Sequence, residues 1–181
     1  AAALLKWLAA EYGVSLSSEK TGGLGADVAF LASPYDVALA TGIGTELTPF
    51  SEICDLSWVL AFPVWASSTA EAYRKLDVYR EKNNIPSFTE NLNAEVFDVH
   101  RGLSEKKKLG LLPNDFLLPL EAEHHEYNTA GMIAQCYGAL AWGLCGSGSA
   151  YFAVCKDEAS ALCVQRAFEQ ENWISKTSKL E

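Results

Sequence analysis

Hydrophobic and polar residues alternate along the chain in blocks of two kinds, one with the spacing of helices and one with that of strands. Apolar residues three and four positions apart predict helices. The helical blocks are residues 1–12, a helix that begins near residue 68, residues 90–103, two pieces within 115–138, and residues 157–171. Short apolar runs predict buried strands at residues 37–41, 58–64, 142–145 and 150–155. This mixture favours a two-layer α+β or α/β domain.

Polar residues and prolines mark where several of these elements begin and end. Ser68 and Glu71 have the spacing of a capping box, in which each side chain accepts a hydrogen bond from the other residue's amide. Asp157 is a suitable N-cap for the last helix, and residues 114–115 suit the cap of a helix that follows them. Pro119 predicts a kink or break that divides the helical pattern of 115–138 into two pieces.

The charge balance argues against partners that carry many phosphates. The 181 residues include 23 acidic and 14 basic side chains, which gives a formal net charge of −9. An acidic surface repels nucleic acid and anionic lipid. Uninterrupted apolar stretches also fall short of the ~20 residues that a membrane-spanning helix requires. We therefore expect no nucleic-acid partner, no membrane segment and a cytoplasmic location.

Cysteine and histidine are present without the spacing of a metal site. None of the five cysteines belongs to a CxxC pair, so we expect reduced and mostly packed thiols. They are Cys54, Cys136, Cys145, Cys155 and Cys163. His124 and His125 are adjacent in a helical pattern and so point in different directions, whereas a helical metal site favours residues four apart. We predict surface positions for both histidines and no protein metal site.

Two glycine-rich segments, residues 21–27 and 143–149, are candidates for ligand binding. The second lacks the lysine of a P-loop and has the wrong spacing for a dinucleotide fingerprint. Taken alone, it predicts a tight turn between two strands, because glycines in hairpins supply positive φ angles. Asp27, taken alone, is a turn or capping aspartate beside glycines.

The order of five short blocks changes this interpretation. They are residues 24–30 (LGADVAF), 40–49 (ATGIGTELTP), 68–73 (STAEAY), 114–116 (NDF) and 145–148 (CGSG). In that order they resemble the 4-diphosphocytidyl-2-C-methyl-D-erythritol kinase family of the GHMP kinases, from residue 1 to about residue 167. The resemblance implies an α+β fold. It assigns residues 1–48 to a remnant of the GHMP kinase N-terminal domain and 49–173 to the C-terminal domain, with 174–181 as a polar tail.

The resemblance also implies catalytic and substrate-binding residues. Asp27 matches the family's catalytic aspartate, which takes the proton from the alcohol that attacks the γ-phosphate of ATP. Thr69 and Tyr73 match positions that contact the cytidine end of the substrate, where the aromatic ring stacks on the base. Both also suit a purely structural role, Thr69 at a helix start and Tyr73 in the core of an amphipathic helix.

A cofactor-binding turn follows from the same resemblance. Gly146, Ser147 and Gly148 match the third GHMP motif, a glycine turn that lies against the phosphate-binding loop of the other domain. The family usually has serine where this chain has Cys145, and proline where it has Ala29. Neither change removes a catalytic group.

The function implied is ATP- and Mg²⁺-dependent phosphorylation of the free hydroxyl of 4-diphosphocytidyl-2-C-methyl-D-erythritol, a step of non-mevalonate isoprenoid synthesis. The family's glycine-rich ATP loop and catalytic lysine lie upstream of the part that matches residue 1. We therefore expect these 181 residues alone to bind ATP weakly and not to turn over, and helix 1–12 to form a homodimer or pack atypically. Two alternatives are a GHMP kinase for homoserine or mevalonate, and a non-catalytic binding or assembly domain.

Overall fold

The computed structural model describes residues 2–51, 55–86 and 92–179. The chain divides into two compact units, Ala1–Glu52 and Ile53–Glu181. Of the predicted features, Cys54 and the first residues of the predicted helix 90–103 lie outside the described residues. No described helix is both long and apolar enough to cross a lipid bilayer.

The first unit consists of three helices followed by a two-stranded hairpin. Its elements are α1 (Ala2–Tyr12), α2 (Ser18–Gly22), α3 (Ala26–Ala32), β1 (Ala38–Thr41) and β2 (Glu46–Pro49). The hairpin is antiparallel, and a turn at residues 42–44 joins its strands.

The buried core of the first unit is small. Its buried side chains include Thr21, Ala29 and Ala32, whereas α1 has none and exposes more than half of Leu4 and Trp7. The prediction of a buried first strand is wrong, because β1 has a single neighbouring strand and is only partly covered. The predicted homodimer through α1 remains a prediction.

The second unit is an α+β domain built on a five-stranded sheet. Its strands are β3 (Ser57–Phe62), β4 (Gly110–Leu111), β5 (Ala141–Leu144), β6 (Tyr151–Cys155) and β7 (Ile174–Lys179). Its helices are α4 (Thr69–Asn83), α5 (Leu92–Ser104), α6 (Leu117–Glu121), α7 (Glu126–Cys136) and α8 (Glu158–Gln170). The strand order is β4-β5-β6-β3-β7, and every pairing is antiparallel except β4 with β5.

Alternation along the central strands places apolar residues on both faces of the sheet. In β6, Tyr151 and Ala153 pack in the larger core cluster with residues of α6, α7 and α8, whereas Val154 packs in a second cluster with Leu103 of α5. Successive side chains of a strand point to opposite faces, so helices cover parts of both. The α+β class predicted from the sequence is confirmed.

Of three predicted boundary features, two are wrong and one is confirmed in part. Helix α4 begins after Ser68, but the Ser68 side chain makes no cap hydrogen bond and Glu71 bonds Arg74 instead, so the capping box does not form. The two helical pieces predicted within 115–138 are observed as α6 and α7. Pro119 lies in the first turn of α6 and not at the break, because an N-terminal turn needs no amide from that residue. The tail predicted from residue 174 is strand β7, which pairs with β3 over six residue positions.

Candidate functional site

Asp27, the predicted base, lies in the first turn of α3 in the first unit, and it is exposed. Gly25 precedes the helix with φ at 151°, a conformation that residues with side chains rarely adopt. The Asp27 side chain borders a cavity of about 380 Å³ that is lined otherwise by apolar residues and glycine. Those residues are Phe30, Leu31, Ala38, Ala40 and Gly44. An accessible carboxylate in this position can accept a proton from a bound hydroxyl.

The predicted cofactor-binding turn is the loop of residues 145–150 between β5 and β6 in the second unit, here called the glycine loop. It is closed by two backbone hydrogen bonds, from the Cys145 amide to the Ala150 carbonyl and from the Gly148 amide to the Cys145 carbonyl, each 2.9 Å long. Gly146 and Gly148 have φ angles of +51° and +84°. The loop therefore has the tight-turn geometry that the sequence predicts.

Thr69 and Ser147, predicted as substrate and cofactor contacts, lie against each other. Their hydroxyl oxygens are 3.0 Å apart, and the Ser67 hydroxyl donates to the Ser147 carbonyl over 3.1 Å. The N-terminal end of α4 is thus joined to the glycine loop by two hydrogen bonds. Two residues nearly eighty positions apart in the sequence are brought together here.

Tyr73 lies one turn further along α4, and 55% of its surface is exposed. Its ring packs edge-on against Phe116, with 4.9 Å between centroids and 82° between the ring planes. The alternative of a core position for Tyr73 is therefore not observed. The exposed part of the ring is available to stack on a planar ligand.

Asn114 anchors the glycine loop from the opposite side. Its side-chain nitrogen donates to the carbonyl oxygens of Leu144 and Gly146, each over 3.0 Å. Its side-chain oxygen accepts from the Phe116 amide over 2.9 Å. The cap predicted for the next helix is wrong, because the N-cap of α6 is Phe116 and no side chain caps it; Asn114 forms a turn before the helix instead. Sequence reasoning missed the bonds to the loop, because local spacing carries no signal for a contact thirty residues away.

An aromatic cluster supports the end of the same loop. The Tyr127 hydroxyl donates to the Ser149 carbonyl over 3.0 Å, and desolvation by burial raises the pKa of Tyr127 well above its ordinary range. Trp65 stacks on His124 with centroids 3.5 Å apart. His124 is therefore only partly exposed, whereas His125 is exposed as predicted.

The described cysteines are all free thiols in different surroundings. Cys136 and Cys163 are exposed, so the prediction of mostly packed thiols is wrong for them. Burial raises the pKa of the Cys145 thiol in the glycine loop, and it raises that of Cys155 to about 11. Within the described ranges, no three His, Cys, Asp or Glu residues are grouped as a metal site.

Comparison with known proteins matches the chain to a family model and to a curated relative. The family model for the C-terminal domain of GHMP kinases matches residues 108–175. A curated relative, 4-diphosphocytidyl-2-C-methyl-D-erythritol kinase of Rhizobium johnstonii, is 32% identical over 172 residues, which are 90% of this chain and 54% of the relative. The chain thus spans about half the length of that relative.

Solved structures with the same fold include three small-molecule kinases. A 4-(cytidine 5'-diphospho)-2C-methyl-D-erythritol kinase matches 97% of this chain and 61% of its own, with a TM-score of 0.74 and 22% identity. Homoserine kinase from Cytophaga hutchinsonii matches 94% of this chain and 60% of its own, with a TM-score of 0.59 and 15% identity. Mevalonate kinase of L. major matches 95% and 61%, with a TM-score of 0.51 and 13% identity. The chain is therefore GHMP-kinase-like in fold, is similar over residues 108–175 to the C-terminal domain of GHMP kinases, and resembles 4-diphosphocytidyl-2-C-methyl-D-erythritol kinase.

Proposed function

We propose that the protein to which this chain belongs phosphorylates the free hydroxyl of 4-diphosphocytidyl-2-C-methyl-D-erythritol, with ATP as phosphoryl donor. The reaction is a step of non-mevalonate isoprenoid synthesis, and a cytoplasmic location belongs to the same proposal. The 32% identity to a kinase of this name supports the substrate. The observation that carries the proposal is the 3.0 Å contact of Thr69 with Ser147, because it joins the predicted cytidine and phosphate contacts in one place.

The glycine loop suits a phosphate contact. Gly146 is exposed, and a Cβ atom built on it meets no atom within 4 Å, so the space beside its backbone is open to a ligand. Ser147 adds a hydroxyl that can exchange its bond with Thr69 for one to a phosphate oxygen. We assign the loop residues Gly146, Ser147 and Gly148 to ATP, which supplies the γ-phosphoryl group, and Mg²⁺ to the phosphates of ATP.

Asp27 has the role of general base in this proposal. Its exposed carboxylate takes the proton of the substrate hydroxyl as that oxygen forms its bond to phosphorus. A positioned base typically accelerates such a step by ~10² to 10⁴. Thr69 and Tyr73 hold the cytidine end, and stacking on an aromatic ring contributes ~1 to 3 kcal/mol to binding of a base.

Ligand binding distinguishes this function from the two alternatives, another GHMP kinase and a non-catalytic binding or assembly domain. Homoserine and mevalonate kinases share the fold, and a binding or assembly domain would need no substrate at all. A ligand that binds the folded state raises its melting temperature. The test is to measure the melting temperature of the complete gene product with cytidine diphosphate, homoserine or mevalonate at the same concentration.

The proposal predicts stabilisation by the cytidine nucleotide alone. Stabilisation by homoserine or mevalonate instead would assign the protein to another GHMP kinase. No stabilisation by any of the three ligands would favour the binding or assembly domain. A Tyr73→Ala variant is the matched test of the stacking contact, and it should lose the effect of the nucleotide.

A further inference from the structure

The Asn114 side chain uses both of its polar groups within the second unit. The nitrogen donates to the carbonyls of Leu144 and Gly146, and the oxygen accepts from the Phe116 amide. These partners also fix the orientation of the amide, because a carbonyl requires a donor and a backbone amide requires an acceptor. One half-buried side chain thus joins the turn before α6 to the glycine loop.

The two carbonyls held by Asn114 determine the course of the loop. They flank Cys145, and Gly146 then turns the backbone into the left-handed region at φ +51°. Because the Leu144 and Gly146 carbonyl groups are both held, the backbone position of Ser147 is fixed as well. There it meets Thr69 and Ser67 of the segment that begins α4.

We propose that Asn114 is a positioning residue for the phosphate contact of the kinase reaction. It touches no reacting atom. It keeps the glycine loop in the shape that presents the Ser147 hydroxyl, and without its two donors the Leu144 and Gly146 carbonyls lose their fixed directions. This inference rests on the proposed function for its catalytic consequence, but the effect on the loop does not depend on that function.

Two variants separate the bonds to the loop from the bond to the α6 turn. Asn114→Asp keeps an oxygen that accepts from the Phe116 amide, but it removes both donors and places a carboxylate oxygen against two carbonyls. Asn114→Ala removes all three bonds. Asp115→Asn is the matched control, because it weakens only the exposed ion pair of Asp115 with Arg80 at 2.7 Å.

Amide hydrogen exchange measured by NMR on the full chain tests the effect on the loop. The Cys145 and Gly148 amides close the glycine loop, and we expect both to exchange at least tenfold faster in Asn114→Asp and Asn114→Ala. The Phe116 amide should exchange faster only in Asn114→Ala. Asp115→Asn should match the wild type. Unchanged loop amides in Asn114→Asp, or equal acceleration throughout the sheet, would overturn the inference.

Kinetics of the complete gene product test the catalytic consequence. We expect Asn114→Asp to lower kcat/KM for ATP at least tenfold. If Asn114 acts through Ser147, adding Ser147→Ala should lower kcat/KM by no more than a further factor of about two. Multiplication of the two single effects would show independent roles and overturn the inference. A wild type without kinase activity would contradict the proposed function instead, and amide exchange would still decide whether Asn114 fixes the loop.

Discussion

At the scale of single residues, the two glycines of the glycine loop are needed for different reasons. Gly148 has φ at +84°, and a Cβ atom there would lie 3.2 Å from both the Leu120 Cδ1 atom and the Tyr127 hydroxyl oxygen. Both of those side chains are buried and cannot move aside freely. Gly146 has φ at +51° and open space around it.

We predict that Gly148→Ala lowers the free energy of unfolding more than Gly146→Ala does. Left-handed backbone costs a residue with a side chain about 1–2 kcal/mol, which applies to both variants. Crowding in a packed site typically adds about 1–3 kcal/mol, which applies to Gly148 alone. Urea unfolding, monitored by tryptophan fluorescence, measures the loss of unfolding free energy in both variants. Equal losses would contradict the packing described around Gly148.

At the scale of elements, two of the predicted helix caps of the second unit, Asp157 and Ser68, differ in kind. Asp157 accepts a hydrogen bond from the Ser160 amide over 2.8 Å, whereas the Ser68 side chain makes no such bond at α4. The hydrogen bonds of the Ser160 hydroxyl and amide lower the pKa of Asp157 below its ordinary value. A carboxylate with a lowered pKa stabilises the folded state above its ordinary pKa, and that stabilisation is lost as the pH falls through the folded value.

We therefore predict a pH-dependent effect of Asp157→Ala. The variant should have a lower urea midpoint than the wild type at pH 7, and the difference should shrink as the pH approaches 3. Ser68→Ala is the control. It should change the free energy of unfolding by less than about 0.5 kcal/mol at any pH, because no side-chain cap is removed. A constant difference for Asp157→Ala across this pH range would contradict the charged cap.

The spacing of apolar residues in the sequence predicted most helices and strands of the second unit, because the apolar residues of these elements pack around one sheet. The hairpin of β5 and β6 and the last helix are found where those patterns lie. Strand β7 was not predicted, because its sequence, ISKTSK, is mostly polar. It forms because an edge strand needs only one partner, and β3 offers its free edge. The pairing is a tertiary effect without a local signal.

The sequence predicted only some of the contacts that are found around the candidate site. Thr69 and Ser147 were assigned from separate blocks of sequence; their hydroxyl groups are in contact, and both ligand assignments stay predictions. The role of Asn114 could not be predicted, because hydrogen bonds to loop carbonyls depend on the folded distance between residues thirty positions apart. The sequence also could not distinguish the two adjacent histidines: His124 stacks on Trp65, whereas His125 is exposed.

At the scale of the whole molecule, each compact unit has its own proposed chemical role. The first carries the carboxylate of Asp27, and the second carries the glycine loop and the residues that contact it. The acidic net charge of −9 suits a small-molecule enzyme and opposes nucleic-acid binding. The chain spans about half of its curated relative, so the proposed activity is to be tested on the complete gene product.

The most direct test is ATP-dependent phosphorylation of 4-diphosphocytidyl-2-C-methyl-D-erythritol by the complete gene product and its Asp27→Asn variant. We predict activity in the wild type and a kcat lower by ~10² to 10⁴ in Asp27→Asn, because asparagine cannot take the proton. Asp36→Asn, at another exposed aspartate of the same unit, should keep wild-type activity. No phosphorylation by the wild type, or full activity in Asp27→Asn, would contradict the account.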